Sequence, residues 1–227
     1  MIIDGTKNLV WPGDFINQII CGDCLEVMNQ IPDGAVDLVL TDPPYGVGFK
    51  GKATKFHGAD GVGYDDFDDD NQYIENVVLP AVSLAMLKSI RMIITPGARQ
   101  CFKYPAPSEI GGVYCPGGAG ISRWGFTCMH PILYYGKDPK TGCYPNSFKS
   151  NAIAEKNGHP CPKPIEWIRW FVDRASTPTD IILDPFLGSG TTAVAAKQLG
   201  RKYIGIEINM DYCKIAEDRL RQEVLPL

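Results

Sequence analysis

The chain has 227 residues and a mass of 24.9 kDa, 44% hydrophobic and 21% charged, which suffices for a substantial buried core and excludes a fibrous or disordered protein. Its longest uncharged apolar stretch, Val77 to Leu87, has eleven residues where a membrane-spanning helix needs about 20, and the N-terminus lacks an export signal, so a cytoplasmic protein with reduced thiols is expected. The net charge of -4 conceals an asymmetry, since Lys88 to Arg174 holds twelve Lys and Arg against five Asp and Glu, and the remainder ten against twenty-one; a polyanionic partner stays possible.

In chain order, Ile16 to Ile20 reads as a strand, followed by Gly22, Asp23 and a short helix from Glu26 to Gln30. Val36 to Leu40 is an apolar run between Pro32-Asp33-Gly34 and Asp42-Pro43-Pro44, as expected of a buried parallel strand that ends in a loop. Ile74 to Lys88 has the length and apolar face of a helix, and Arg91 to Thr95 is a strand stopped by Pro96-Gly97. From Gly97 to Pro164 the many glycines and prolines predict an irregular or short-strand region. Asp180 to Leu183 is a strand, Thr191 to Leu199 a helix, Tyr203 to Ile206 a strand and Met210 to Glu223 a helix. This alternation predicts an α/β fold, an open, mostly parallel Rossmann-like sheet flanked by helices. Cys21 and Cys24 form a single C-x-x-C pair without a second, and the three histidines lack ligand spacing, so no metal site is expected.

The run Ile181-Ile182-Leu183-Asp184-Pro185-Phe186-Leu187-Gly188-Ser189-Gly190-Thr191-Thr192 reads as strand, carboxylate, glycine turn and helix start. Glycines admit a ligand close to the backbone, and the helix start offers unpaired N–H groups. A phosphate loop would carry lysine where Thr191 stands, and the dinucleotide fingerprint requires a third glycine. Glu207 follows Asp184 by twenty-three residues, near the offset of about 20 at which an acid holds ribose hydroxyls. An adenosine-bearing ligand without pyrophosphate fits, and Asp184 at the strand tip favours a cationic one such as S-adenosylmethionine.

Thr41-Asp42-Pro43-Pro44-Tyr45-Gly46 directly follows the strand Val36 to Leu40. Ligands of open parallel sheets bind outside the carboxyl ends of strands, so Asp42 and Tyr45 are expected in the same crevice as Asp184 and Glu207. Prolines donate no hydrogen bonds; their carbonyls, beside a carboxylate, suit a donor with two hydrogens, an amino group. Tyr45 offers a ring on which a base can stack.

With these segments the chain resembles the S-adenosylmethionine-dependent amino-methyltransferases of DNA. The resemblance is carried by Gly22-Asp23-Cys24, Asp42-Pro43-Pro44-Tyr45, Met129 to Lys137, His159-Pro160-Cys161-Pro162-Lys163-Pro164, Asp184 to Thr191, and Gly205-Ile206-Glu207. Their order, tetrapeptide first and glycine loop last, is similar to the circularly permuted beta class. The resemblance implies double-stranded DNA as partner and S-adenosyl-L-methionine as cofactor, with Asp42, Pro43, Pro44 and Tyr45 catalytic. It implies that Asp184, Gly188 and Gly190 hold the methionine end, Glu207 the ribose and Asp23 the adenine, with Cys24, Phe186, Ser189 and Thr191 among the contacts and His159 and Lys163 packed beside the cofactor. This chain has His130 where the family commonly has Glu before Pro131, and Cys161 where it often has Thr or Ser.

The leading aspartate resembles adenine-N6 enzymes, with cytosine-N4 as the alternative target. A non-enzyme alternative is an inactive paralogue that binds DNA or cofactor. A carbon-5 reading, from Glu75-Asn76-Val77 and Pro160-Cys161, has its motifs in the wrong order. Residues 1–96 and 157–227 are expected to form the catalytic core. The aromatic, basic stretch 97–156 is expected as a small target-recognition or lid region, with selectivity limited or shared within a homodimer. The loop with Lys50, Lys52, Lys55 and Asp65 to Asp70 is expected to present its acids to solvent.

Overall fold

The computed structural model describes residues 2–46, 69–118, 121–122, 124–155 and 162–222. In chain order they form β1 (Ile2–Asp4), β2 (Gln18–Cys21), α1 (Cys24–Asn29), β3 (Val36–Thr41), α2 (Asn71–Tyr73), α3 (Leu79–Lys88) and β4 (Ser89–Ile94). There follow β5 (Glu109–Tyr114), β6 (Ile121–Ser122), β7 (Gly125–Phe126), β8 (Met129–Gly136), β9 (Phe148–Lys149), α4 (Ile165–Ala175), β10 (Ile181–Asp184), α5 (Thr191–Gln198), β11 (Lys202–Glu207) and α6 (Met210–Gln222). Nine strands make one sheet in the order β1-β2-β11-β10-β3-β4-β8-β5-β9, and β6 pairs with β7 separately. From β1 to β4 all neighbours are parallel; β8 is antiparallel to both β4 and β5.

Period-two burial accounts for helices on both faces. In β3, Val39 packs into the cluster that holds Val27 and Met28 of α1 and Ala81, Val82 and Ala85 of α3. Its neighbours Leu38 and Leu40 turn to the opposite cluster, with Phe171 and Val172 of α4 and Ala195 and Ala196 of α5. Leu183 and Ile182 of β10, and Met92 and Ile93 of β4, divide between the two faces in the same way. Ile19 of β2 instead meets α6 through Cys213, Ala216 and Leu220. Strands covered on both faces favour apolar residues at most positions, and the charged residue within β3, Asp37, accepts the Ile181 amide of β10.

Two segments differ from the sequence expectation. Residues of the stretch read as irregular supply β5, β8 and β9, and Val113, Ile132 and Leu133 are buried in the core. Gly111, Gly112 and Pro131 are breakers in isolation, and the antiparallel pairing of β5 with β8 overrides them. Helix α4 is not among the predicted elements, because the proline-rich approach to Pro164 reads as loop; it buries Trp167, Ile168, Phe171, Val172 and Ala175 along one face. The predicted helix Ile74 to Lys88 is interrupted by a wide turn over Ile74–Val78, where the Leu79 N–H reaches back to the Ile74 carbonyl. Pro80, which has no N–H to give, sits just beyond that turn.

Strand β3 is followed by its neighbour β4 on one side, whereas β10 is followed by β11 on the other. The β3–β10 boundary is therefore the point where chain order reverses, and it opens a crevice at the strands' carboxyl ends. On that edge the turn after β10 is held tightly. Gly190 has φ +85°, and a Cβ there would lie 2.6 Å from the Ala216 Cβ of α6. Gly190→Ala must adopt an unfavourable backbone and push α6 away, so a loss of about 2 kcal/mol or more is expected in urea denaturation. Unchanged stability would show that α6 yields at no cost.

Candidate functional site

Five loops converge on this crevice. Gly22 to Cys24 follow β2, Asp42 to Gly46 follow β3, Thr95 follows β4, Pro185 to Thr191 follow β10, and Ile208 and Asn209 follow β11. One cavity is lined by Asp23, Cys24, Asp42, Pro43, Pro44, Tyr45, Lys163, Asp184, Phe186, Gly188, Ser189, Thr191 and Glu207. The carboxylates of Asp42 and Asp184, 142 positions apart in the chain, thus face a common space. Gly190 does not line it and instead supports α5 against α6. His159 and Cys161 lie outside the described residues, as do Lys50, Lys52, Lys55 and Asp65 to Asp68.

Asp184 is buried, and its Oδ1 accepts hydrogen bonds from the Thr41 hydroxyl at 2.8 Å and the Phe186 amide at 3.1 Å. Burial pushes its pKa up to about 6, against the opposing hydrogen bonds from Thr192, Thr41 and the Phe186 amide, with the nearby Asp42 charge adding to the rise. Glu207 accepts the Gly188 amide on Oε2 at 2.8 Å and the Asn209 amide on Oε1 at 2.9 Å, which ties the β10 and β11 loops together. Burial raises its pKa as well. Arg219 of α6 donates to the Ser189 carbonyl at 2.6 Å and the Thr191 hydroxyl at 3.0 Å, fixing the glycine turn from behind. Asp23 caps α1, its Oδ1 accepting from the Leu25 and Glu26 amides. At the start of that helix burial pushes the Cys24 thiol up to about 12, so it is a neutral wall of the cavity.

On the opposite wall Asp42 is held from both sides. Its Oδ1 accepts the hydroxyls of Tyr45 and Thr95, each at 2.5 Å, and its Oδ2 meets the Lys163 ammonium at 2.6 Å. That ammonium also stands 4.9 Å from the centroid of the Tyr45 ring. Gly97, at φ +69°, leaves room for this ring, since a Cβ there would come within 3.0 Å of it. Gly46 donates its amide to Asp69, which is buried at 4% exposure. This corrects the expectation of a solvent-facing acid at Asp69, which is drawn inward to accept the amide of the residue after the tetrapeptide, whereas Asp70 is exposed as expected. His130 packs edge-on against Trp167 at 5.1 Å, and its pKa is lowered by burial and by the Lys163 charge. Glu75 of the carbon-5 tripeptide pairs with Lys103 at 3.2 Å and does not line the cavity.

The arrangement provides buried acids for a cationic or hydroxyl-bearing ligand on one side, and an anchored carboxylate beside an aromatic face on the other. Residues 108–218 match the family model described as DNA methylase. Type II methyltransferase M.HinfI of Haemophilus influenzae is 29% identical over 252 residues, covering 92% of this chain and 69% of that protein. The crystal structure of an M1.HpyAVI–SAM complex superposes with a TM-score of 0.62 at 25% identity, over 89% of this chain and 98% of that one. The chain is thus similar to DNA methyltransferases in sequence over 92% of its length and in fold over 89%.

The PvuII cytosine-N4-specific DNA methyltransferase shares its fold, with a TM-score of 0.68, 16% identity and coverage of 94% of this chain and 92% of that one. The structure also brings Thr95, Asp69, Tyr73, Asn209 and Tyr212 to the site, none of which stood out from the sequence as a site residue. Thr95 and Asn209 carried a usable signal, since each is a polar residue within two positions of a buried parallel strand's carboxyl end. Asp69 and Tyr73 carried none, because 23 residues of sequence separate Asp69 from Tyr45.

Proposed function

We propose that the protein transfers a methyl group from S-adenosyl-L-methionine to the exocyclic amino group of a flipped-out base in double-stranded DNA, adenine N6 being the target. The observation that carries the reading is the single cavity onto which Asp42 and Asp184 both open. The donor set fits the cofactor: Asp184 and Glu207 are acceptors for cationic and hydroxyl groups, Phe186 and Cys24 give apolar wall, and Lys163 is a cation for a carboxylate. The bound cofactor supplies an electrophilic methyl on sulfur.

A base within a duplex hides its amino group, so it must leave the stack at a cost of a few kcal/mol. The Tyr45 ring offers replacement stacking worth about 1–3 kcal/mol, which offsets much of that cost. Asp42 and the Pro43 carbonyl accept the two amino hydrogens and turn the nitrogen lone pair into the cavity, and Thr95 and Tyr45 keep the Asp42 carboxylate from rotating. Alignment is the main device, and orientation of this kind contributes several kcal/mol, up to about 10. Asp42 also gives the released proton a way out. The aspartate that opens the tetrapeptide supports adenine over cytosine, in line with the resemblance on which this assignment rests.

DNA contact is assigned to the far end of β5 and β8. Leu133 pairs with Ile94 at the end of β4, so Met129 to Ile132 overhang the crevice edge by four residues, roughly 13 Å at the usual strand rise. The β6–β7 hairpin lies between these overhanging ends and presents Trp124, fully exposed, and Phe126. Exposed aromatics with basic neighbours suit a surface that reads or wedges the duplex.

The direct test is to express the chain in a host free of DNA amino-methylation and resolve the digested DNA by liquid chromatography. N6-methyladenine is expected with the parent and none with Asp42→Ala. N4-methylcytosine in its place would move the target while leaving the reaction intact, and the absence of both would defeat the reading.

A further inference from the structure

Among the described residues, the cavity is lined by five carboxyl groups, those of Asp23, Asp42, Asp69, Asp184 and Glu207, and by one cationic side chain, Lys163. Its side chain is only 10% exposed, and its ammonium sits on Asp42 Oδ2. Oδ1 of the same carboxylate already accepts two hydroxyls, from Tyr45 and Thr95. Oδ2 is therefore where a base amino group and the lysine meet. The cofactor assigned to this cavity brings two cations and one carboxylate. The acids serve the cations, whereas the carboxylate enters an acid-rich space whose positive charge is engaged elsewhere. Lysine is suited to a divided role, with three donors on a flexible stem.

Resting on the cofactor reading above, we propose that Lys163 is shared between Asp42 and the α-carboxylate of the cofactor, so that cofactor binding draws the ammonium off Oδ2 and readies Asp42 for the base. Two anions then compete for one ammonium. Anything that removes the Asp42 charge must strengthen binding of a carboxylate-bearing ligand, and by reciprocity the bound carboxylate weakens the hold of Lys163 on Asp42. The enzyme acquires a preferred order, cofactor before base, without any moving domain.

Calorimetric titration of the full chain with two ligands tests this. S-adenosylhomocysteine carries the amino-acid carboxylate, and 5′-methylthioadenosine has the same nucleoside and sulfur without it. Asp42→Asn is expected to tighten S-adenosylhomocysteine roughly tenfold, and Lys163→Met to weaken it roughly ten- to a hundredfold, the size of one charge-assisted hydrogen bond. Neither change is expected to move 5′-methylthioadenosine more than about twofold, and in the double variant the gain from Asp42→Asn is expected to vanish. Lys163→Arg, which keeps the charge, should retain most of the affinity and controls for folding. The proposal fails if Asp42→Asn leaves S-adenosylhomocysteine unchanged or weaker, if its gain survives in the Lys163→Met background, or if Lys163→Met weakens both ligands equally. Failure of the parent to bind either ligand overturns the cofactor reading itself, a result distinct from those three.

Discussion

Asp42→Ala is expected to lower methyl transfer to DNA by about 10³-fold or more while S-adenosylhomocysteine still binds at least as tightly as to the parent. The size follows from what Asp42 does at the site. It accepts the Tyr45 hydroxyl, and its orientation is set by three separate donors, from the residue after β4, from the tetrapeptide and from the segment before α4. On the proposed reading, its removal leaves the base amino group without its anionic acceptor and takes the Oδ2 contact from the Lys163 ammonium. Single-turnover transfer of a radiolabelled methyl group isolates this step from product release. A loss below tenfold would mean that Asp42 does not receive the amino group. Asp42→Asn is a useful companion, because it retains an oxygen acceptor and is expected to fall between the parent and the alanine variant.

The second large effect concerns Asp184, where function and stability are expected to move in opposite directions. Its pKa stands at about 6 in the fold against an ordinary 3.8, and at about 1.4 kcal/mol per pKa unit the ionised carboxyl costs the fold roughly 3 kcal/mol. The sign follows from the raised value. The stability is fully present below pH 3.8, where both states are protonated, and is lost as pH rises through about 6. Asp184→Asn keeps an acceptor for the Thr41 hydroxyl and the Phe186 amide but removes the charge. Relative to the parent it is expected to gain stability with rising pH, by roughly 1 kcal/mol between pH 5 and pH 8, or about 2–4 °C in melting temperature. Glu207, whose pKa is also raised, is unchanged in the variant and cancels in the comparison. Cofactor affinity should fall at the same time, by roughly ten- to a hundredfold at pH 8, since the cationic end loses its anion. The parent should also release a proton on binding the cofactor near pH 6, measurable as a buffer-dependent heat. A gap that does not widen with pH would show that Asp184 is not held neutral by burial.

On the proposed reading, a cationic cofactor gives a reason for keeping a buried acid in this cavity. The stability it removes from the empty fold is recovered when positive charge arrives, which links ligand binding to melting temperature. The same logic covers Lys163 on the other wall. Each side of the cavity holds a charge whose best partner is brought by a ligand.

The parallel core was legible in the sequence because period and punctuation agreed there. Val36 to Leu40, Ile181 to Leu183 and Tyr203 to Ile206 are apolar runs ended by Asp42-Pro43, Asp184-Pro185 and Glu207, and the observed β3, β10 and β11 match them within two residues. The site acids stand at those same ends, so the fold rule that puts ligands at strand tips also found Asp42, Asp184 and Glu207. By contrast, β5 and β8 were hidden, since Gly111, Gly112 and Pro131 are poor strand formers and become strand only through the pairing of β5 with β8. Helix α4 was hidden behind the proline run before it.

The sequence by itself thus determined the chemistry on offer: which strand ends carry acids, where the glycine turn lies, and that an aromatic ring follows the two prolines. Only the tertiary structure decided the partnerships: Lys163 with Asp42, Thr95 with Asp42, Asp69 with the Gly46 amide and Arg219 with the glycine turn. Such contacts join positions far apart in the chain through the packing of separate elements. Local propensity fixes where a strand ends; which side chain fills the space beyond it depends on the long-range registry of the whole sheet.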